Sequence, residues 1–128
     1  LVPGGVAMST DVCVPISRLA ECVEDTRRDI EESGIIAPIV GHVGDGNFHT
    51  LPIALPDDVE AWKRIQSFVE RLSERAIAMD GTCTGEHGIG QGKIKYLRQE
   101  MGPAVDMMIA VKQALDPNDI LNPGKLFN

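Results

Sequence analysis

Apolar and polar positions alternate at the start of the chain and then recur with a helical period. Apolar residues at positions 6, 8, 12 and 14 share one parity, which predicts a half-buried strand that ends at Pro15. From Ser17, the expected N-cap, apolar residues follow at spacings of three and four as far as Gly34. This pattern predicts an amphipathic helix whose C-cap is Gly34.

A second pair of apolar segments, 37–43 and 48–54, lies on either side of Gly44-Asp45-Gly46-Asn47. Asp-Gly between apolar runs is a strong hairpin signal, so this stretch predicts two antiparallel strands. Asp57 resembles the first residue of a capping box and is the expected N-cap of a second amphipathic helix, which ends before Gly81.

The last third of the chain predicts glycine-rich irregular structure over 81–92, a short helix from Lys93 and a final helix with Pro103 in its first turn. The side chains expected to face inward from the final helix are Val105, Met108, Ile109 and Leu115. The order β-α-β-β-α, followed by C-terminal helices, predicts an α+β fold with an antiparallel sheet that helices cover. The length of 128 residues fits one domain, 1–128.

The charge of the chain narrows its partners, since 12 basic and 19 acidic side chains give a net charge of −7. This balance argues against nucleic acid or an anionic membrane as the main partner. No apolar run approaches the roughly 18 residues of a membrane span, so no transmembrane segment is expected. The three cysteines form an odd set without a C-x-x-C pair. They fit a reducing compartment, so we expect a cytoplasmic protein.

All three histidines of the chain lie in or beside glycine-rich segments. In a hairpin centred between Asp45 and Gly46, His42 would stand directly opposite His49 on the same face. Directly opposed Cβ atoms are roughly 4.5–5.5 Å apart, which is close enough for two imidazoles to hold one metal ion. Two hairpin histidines that make ordinary hydrogen bonds are the alternative.

Glu86 and His87 are adjacent in the glycine-rich segment 81–92. With His42 and His49, Glu86 would complete the three-ligand set of an open catalytic metal site. His87 would then remain available as a general base. A solvated Glu-His pair in a loop is the alternative. The segment is no nucleotide motif. Lys93 stands where the dinucleotide pattern needs its third glycine, and Ile94 stands where the phosphate-loop pattern needs Ser or Thr.

Three motifs in order resemble the C-terminal domain of FAD-linked oxidases, and the likeness covers the chain from about residue 6 to 128. They are Gly41-His42-Val43-Gly44-Asp45-Gly46-Asn47-Phe48-His49, Gly81-Thr82-Cys83-Thr84-Gly85-Glu86-His87-Gly88-Ile89-Gly90 and Leu121-Asn122-Pro123-Gly124-Lys125. The segment Thr10-Asp11-Val12-Cys13-Val14-Pro15 also resembles the start of that domain. The family includes FAD-dependent D-lactate dehydrogenases, the glycolate oxidase flavin subunit and D-2-hydroxyglutarate dehydrogenases.

The resemblance implies a ferredoxin-like cap over FAD that is bound mainly by a preceding domain of the same protein. It implies that His42, His49 and Glu86 bind a divalent metal, zinc or manganese, and that His87 is the catalytic base. It also implies that Asn122 lies near the flavin.

The function that the resemblance implies is oxidation of a small D-2-hydroxy acid to a 2-keto acid, with hydride transfer to FAD. Leu51 stands where hydroxyglutarate enzymes carry a substrate-binding Asn, which favours lactate over a diacid. A start at Leu1 rather than Met suggests a piece of a longer chain. Because the flavin-binding domain that the resemblance implies is missing from these residues, we expect the isolated chain to be inactive and to bind no FAD. The alternatives are a free-standing His/His/Glu metallohydrolase and a non-catalytic ferredoxin-like metal-binding module.

Overall fold

A computed structural model describes residues 1–127, apart from the side chain of Val43, as two compact units. The first unit is Leu1–His87 and the second begins at Gly88. The elements of the first unit are β1 (Val6–Ala7), β2 (Val12–Cys13), α1 (Ile16–Ser33), β3 (Ile39–His42), β4 (Asn47–Thr50), β5 (Ile53–Ala54) and α2 (Val59–Ala78). Helices and antiparallel strands are both present, which confirms the predicted α+β class.

The strands form a three-stranded antiparallel sheet in the order β2-β4-β3 and a two-stranded sheet of β1 and β5. The single strand predicted over 6–14 is therefore divided, although both parts keep one register against the partner segment. Pro52 has no N–H to donate at the break. The N–H of Thr50 donates to the side-chain Oγ1 of Thr10 at 2.8 Å rather than to a backbone carbonyl.

Both long helices pack against one face of the three-stranded sheet. Val12 stands opposite Phe48 across the β2–β4 pair, and both side chains are buried. The other buried members of this core are Val14, Leu19, Cys22, Phe68, Leu72, Ala76 and Met79. Burial of a side chain such as Phe68 contributes about 1.5–3 kcal/mol. Because strand side chains alternate, Asn47 and His49 project to the opposite face.

The first residues of both long helices differ from prediction by one or two positions. Ser17 is not the N-cap of α1: Pro15 is, with φ −50° and no side-chain cap. The proline ring fixes this φ, and the Pro15 carbonyl accepts the N–H of Arg18 at 2.7 Å. Asp58 rather than Asp57 caps α2, and its carboxylate accepts the N–H of Ala61 at 2.9 Å. Gly34 ends α1 with φ 60°, as predicted.

A buried carboxylate ties the two long helices together. Asp29 on α1 accepts hydrogen bonds from Arg71 at 2.6 Å and from Arg75 at 2.7 Å, both on α2. Burial alone would disfavour the charged carboxylate, but the hydrogen bonds from these two guanidinium groups outweigh it. The pKa of Asp29 therefore lies below its ordinary value. The two ion pairs of Asp29, with Arg71 and Arg75, stabilise the packing of α1 against α2.

We expect the stability that Asp29 contributes to depend on pH. Because its pKa is lowered on folding, the contribution is complete above the unfolded pKa of about 3.9 and is lost as the pH falls through the folded value. Asp29→Asn should lower the free energy of unfolding by about 1.5–3 kcal/mol at neutral pH and by less at acid pH. Urea unfolding between neutral and acid pH measures this difference. Asp25→Asn, which alters a half-exposed carboxylate on the same helix, is the control and should show a much smaller difference.

The second unit contains α3 (Ile94–Met101) and α4 (Ala104–Leu115). Val105 is buried as predicted, but Met108 and Leu115 are exposed, so the prediction that both face inward is wrong for this unit. A pair of short helices can cover only one side of each helix. No helix in the described range 1–127 is both long and apolar enough to cross a membrane.

Candidate active site

The hairpin of β3 and β4 brings two imidazoles to one face of the sheet. Val40 pairs with His49, and His42 pairs with Asn47. His42 and His49 are therefore diagonal neighbours on the same face, within reach of long side chains. Their ring centroids are 6.0 Å apart and their planes are perpendicular.

The predicted register, with His42 directly opposite His49, is wrong by two residues. A two-residue Asp-Gly turn needs positive φ at both central positions, and here only Gly46 has it, at 74°. The loop instead has four residues, a 3₁₀ turn over Val43–Asp45 followed by Gly46. A slip of two residues keeps each side chain on its face, so the shared face of the histidines is preserved.

Gly46 also holds the hairpin against the end of β2. Its carbonyl accepts the N–H of Val14 at 3.0 Å. A Cβ at this position would lie 2.1 Å from the carbonyl oxygen of Val14. Close approach and positive φ both require glycine here, and together they fix the hairpin that carries the two histidines.

The hydrogen bonds of His49 fix which of its nitrogens carries the proton. His49 is buried, and its Nδ1 lies 2.9 Å from the carbonyl oxygen of Thr10. Because a carbonyl can only accept, Nδ1 donates, and in the neutral ring Nε2 then holds the lone pair. Nε2 lies 3.2 Å from Oε1 of Glu86. Two electron-rich atoms at this distance repel each other unless a proton or a metal cation lies between them.

The nitrogen and oxygen atoms of His42, His49 and Glu86 fit a divalent cation. One ligand atom from each residue lies within 4.8 Å of the others. Two ligands bound at 2.0–2.2 Å to a tetrahedral ion are about 3.4 Å apart, close to the separation of His49 and Glu86. Two imidazoles and one carboxylate are ligands that zinc and manganese accept.

His87 lies beside this set without being needed as a ligand. Its ring stacks on that of His49, with centroids 5.3 Å apart and planes inclined by 19°. Its Nε2 is 3.8 Å from Oε1 of Glu86. The side chain is half-exposed, so a small molecule bound at the site can reach it. The fold thus brings together four of the predicted site residues.

Sequence reasoning missed Asp11, whose carboxylate lies beneath the loop that carries Glu86 and His87. Asp11 is 1% exposed, and its Oδ2 accepts the backbone N–H groups of Glu86 at 2.8 Å and His87 at 2.7 Å. Asp11 is at an odd-numbered position of the first predicted strand, where the apolar residues are even-numbered. This alternation indicated only that its side chain faces away from the core. Its partners lie 75 and 76 residues away, and no local pattern connects them.

The neighbouring thiols do not add ligands or nucleophiles to this site. Cys13 donates to the carbonyl oxygen of Asp45 at 3.3 Å. Burial, and then the negative charges of Asp11 and Asp45, raise the pKa of the Cys13 thiol, so it stays protonated at neutral pH. Cys83 is fully buried.

Asn122 belongs to the second unit, where it is exposed with φ 49°. It lines a cavity of about 530 Å³ whose other walls include Leu121, Leu126 and Phe127. The turn before it is shaped by Asp116, which accepts the backbone N–H groups of Ile120 and Leu121.

Known proteins match the chain along almost its whole length. The family described as FAD linked oxidases, C-terminal domain, matches residues 1–126. A probable mitochondrial D-lactate dehydrogenase of Danio rerio is 55% identical over 128 residues, which cover 99% of this chain and 26% of that protein. A mitochondrial D-lactate dehydrogenase [cytochrome] of Arabidopsis thaliana is 46% identical, covering 99% of the chain and 23% of the relative. Glycolate oxidase subunit GlcD of Bacillus subtilis is 39% identical over 121 residues, covering 91% and 25%.

The chain spans about a quarter of the length of the curated relatives it matches. The expectation of a cytoplasmic protein is contradicted, because the fish and plant relatives are both named mitochondrial. Three cysteines without a pairing pattern indicated only that the protein is in a reducing compartment. They carry no information about which reducing compartment it is.

Proposed function

Because the chain belongs to the FAD linked oxidase C-terminal domain family, as its motifs indicated, we propose that it is the substrate- and metal-binding domain of an FAD-dependent D-2-hydroxy acid dehydrogenase. The full protein would oxidise the hydroxy acid to a 2-keto acid. Relatives named D-lactate dehydrogenase support this reaction class. The observation that carries the proposal is a cluster of four side chains. His42 and His49 lie on one face of the hairpin, and the loop that carries Glu86 and His87 lies against that face.

A 2-hydroxy acid suits this cluster because it offers two oxygen donors, a carboxylate and an α-hydroxyl, that can share one cation. His42, His49 and Glu86 would hold a divalent metal that would polarise the hydroxyl as a Lewis acid, and bound FAD would supply the hydride acceptor. His87 accepts the hydroxyl proton at Nε2, the ring nitrogen on the side of Glu86. Loss of that proton and of the hydride from Cα leaves the 2-keto acid, so the reaction is balanced.

The proposed substrate is small, with D-lactate as the first candidate. Leu51 follows the second histidine by two residues and is half-buried. Its apolar side chain cannot hydrogen-bond the distal carboxylate of a diacid, which an Asn at this position could do. The names of the fish and plant relatives agree with this choice.

The remaining three quarters of the relatives' length leaves room for the FAD-binding domain that we propose precedes this one. The second unit, which carries Asn122, has apolar side chains that an adjacent domain would cover. The most exposed of them are Met107, Leu115, Ile120 and Leu121. We further propose that Asn122 contacts the flavin, that the protein resides in mitochondria, and that residues 1–128 form the C-terminal domain.

Anaerobic mixing of the full-length protein with candidate substrates tests the proposal. D-lactate should bleach the absorbance of the oxidised flavin, L-lactate and D-2-hydroxyglutarate should do so much more slowly, and a chelator should abolish the reaction until zinc or manganese is restored. Absence of flavin reduction by every D-2-hydroxy acid would overturn the proposal. Hydrolysis of an ester or amide substrate by the chain without flavin would instead support the metallohydrolase alternative.

A further inference from the structure

We propose that Asp11 is the positioning residue of this site, which holds Glu86 and His87 in place for the cation and the substrate. The inference rests on the proposed function, because it assigns a role toward the metal centre named there. Asp11 itself binds neither substrate nor metal in this role. It acts through the backbone of the two residues that do.

The contacts of Asp11 are those of an anchor for the site loop. One oxygen accepts two backbone N–H groups in succession, from Glu86 and His87, and the hydroxyl of Thr84 at 3.3 Å. Hydrogen bonds to an ionised acceptor are roughly twice as strong as those between neutral groups. Two successive N–H groups on one oxygen orient both peptide planes, and so they set where the side chains of Glu86 and His87 begin.

Thr10 and Asp11, which are adjacent in the chain, also position His49, the other side of the site. The carbonyl of Thr10 accepts Nδ1–H of His49, and the second oxygen of Asp11 lies 3.8 Å from that nitrogen. Thr10 is in turn bonded to Thr50, the residue after His49, through its hydroxyl. Thr10 and Asp11 therefore fix both the strand that carries His49 and the loop that carries Glu86. This keeps Nε2 of His49 at 3.2 Å from Oε1 of Glu86.

The packing around Gly85 shows how closely the loop is pressed onto this anchor. A Cβ at Gly85 would lie 2.5 Å from Oδ1 of Asn47 and 2.8 Å from Oδ1 of Asp11. Only a glycine lets the backbone approach both side chains. The loop is therefore held in one place by the hydrogen bonds that it donates to Asp11 and by its close approach to Asn47, although it has no regular secondary structure.

Binding of Co²⁺ to the full-length protein and to its Asp11→Asn variant tests the proposal. An amide has the size of the carboxylate but lacks the charge that strengthens the bonds to both N–H groups. We expect the dissociation constant for Co²⁺ to rise by about 10–100-fold, as is typical when an outer-shell partner is removed. The visible absorption bands of bound Co²⁺ should also change, because Glu86 no longer meets the ion in the same geometry.

A double-mutant cycle separates positioning from general destabilisation. In a Glu86→Gln background, Asp11→Asn should lose most of its effect on Co²⁺ affinity, because the group it positions has already been altered. Asp29→Asn removes another buried carboxylate and should lower stability while leaving Co²⁺ binding and its spectrum unchanged. An equal effect of Asp11→Asn in both backgrounds would overturn the positioning role, as would unchanged affinity and spectrum in the folded variant.

Amide hydrogen exchange tests the anchor without any metal. The N–H groups of Glu86 and His87 should exchange at least about tenfold faster in Asp11→Asn than in the wild type, while core amides keep their protection. If wild-type protein binds no Co²⁺, the metal centre of the proposed function fails, and the exchange rates still decide whether Asp11 holds the loop. Unchanged exchange at both amides would refute the anchor itself.

Discussion

Replacing His49 with alanine is expected to remove metal binding and, with it, oxidation of the hydroxy acid by the full-length protein. His49 is the preorganised member of the proposed ligand set, because it is buried and the Thr10 carbonyl holds a proton on its Nδ1. The metal dissociation constant should rise by more than the roughly 10–100-fold that loss of an outer-shell partner costs. Metal content after dialysis and the rate of flavin reduction measure the two effects.

The comparison for this variant is His42→Ala, which also removes one imidazole ligand but from an exposed position. It should lower metal affinity sharply, and the thermal unfolding midpoint of the metal-free variant should stay close to that of the metal-free wild type. Full metal content in both variants would contradict the assignment of the hairpin histidines as ligands. Loss of metal in His49→Ala through unfolding alone would show as a collapsed circular dichroism spectrum.

Replacing His87 is expected to have the opposite signature, a large loss of rate with the metal retained. His87→Ala removes the proposed proton acceptor but none of the three ligands. General-base catalysis contributes typically about 10²–10⁴-fold, so kcat for D-lactate should fall within that range. Metal content should match that of the wild type.

Added imidazole gives this prediction a specific test. The wild-type side chain is half-exposed, so its removal leaves space that imidazole from solution can enter. Partial recovery of kcat on addition of imidazole supports a base at this position. Failure of imidazole to recover kcat at any concentration, or metal loss in the variant, would contradict the proposed role.

Local patterns were sufficient for the elements of the fold and for the shared face of the two histidines. The side-chain period of a strand is two, so parity alone places His42 and His49 together in any register that slips by an even number. The actual register depends on φ at Asp45 and Gly46 and on the contact of Gly46 with Val14, which is a tertiary effect. The pattern could not show that contact.

The parts of the site that sequence reasoning missed are those made by long-range hydrogen bonds. Asp11 has the same polar, outward-facing pattern as any exposed strand residue, and only the folded chain brings it under Glu86. The same holds for Thr10, whose backbone carbonyl carries no residue-specific signal. Helix starts were misplaced for a simpler reason: Asp57 and Asp58 are adjacent candidates, and the choice between them depends on where the preceding turn ends.

The long sequence separation of the site residues has a thermodynamic consequence for the first unit. The ligands and their anchor come from segments near residues 10, 42–49 and 86, so an unfolded chain cannot present them together. A cation bound only by the folded state adds free energy of unfolding by mass action, about 2.7 kcal/mol at a concentration 100 times its dissociation constant. The concentration of available metal would then determine how long the domain resists proteolysis, as well as the rate of the proposed oxidation.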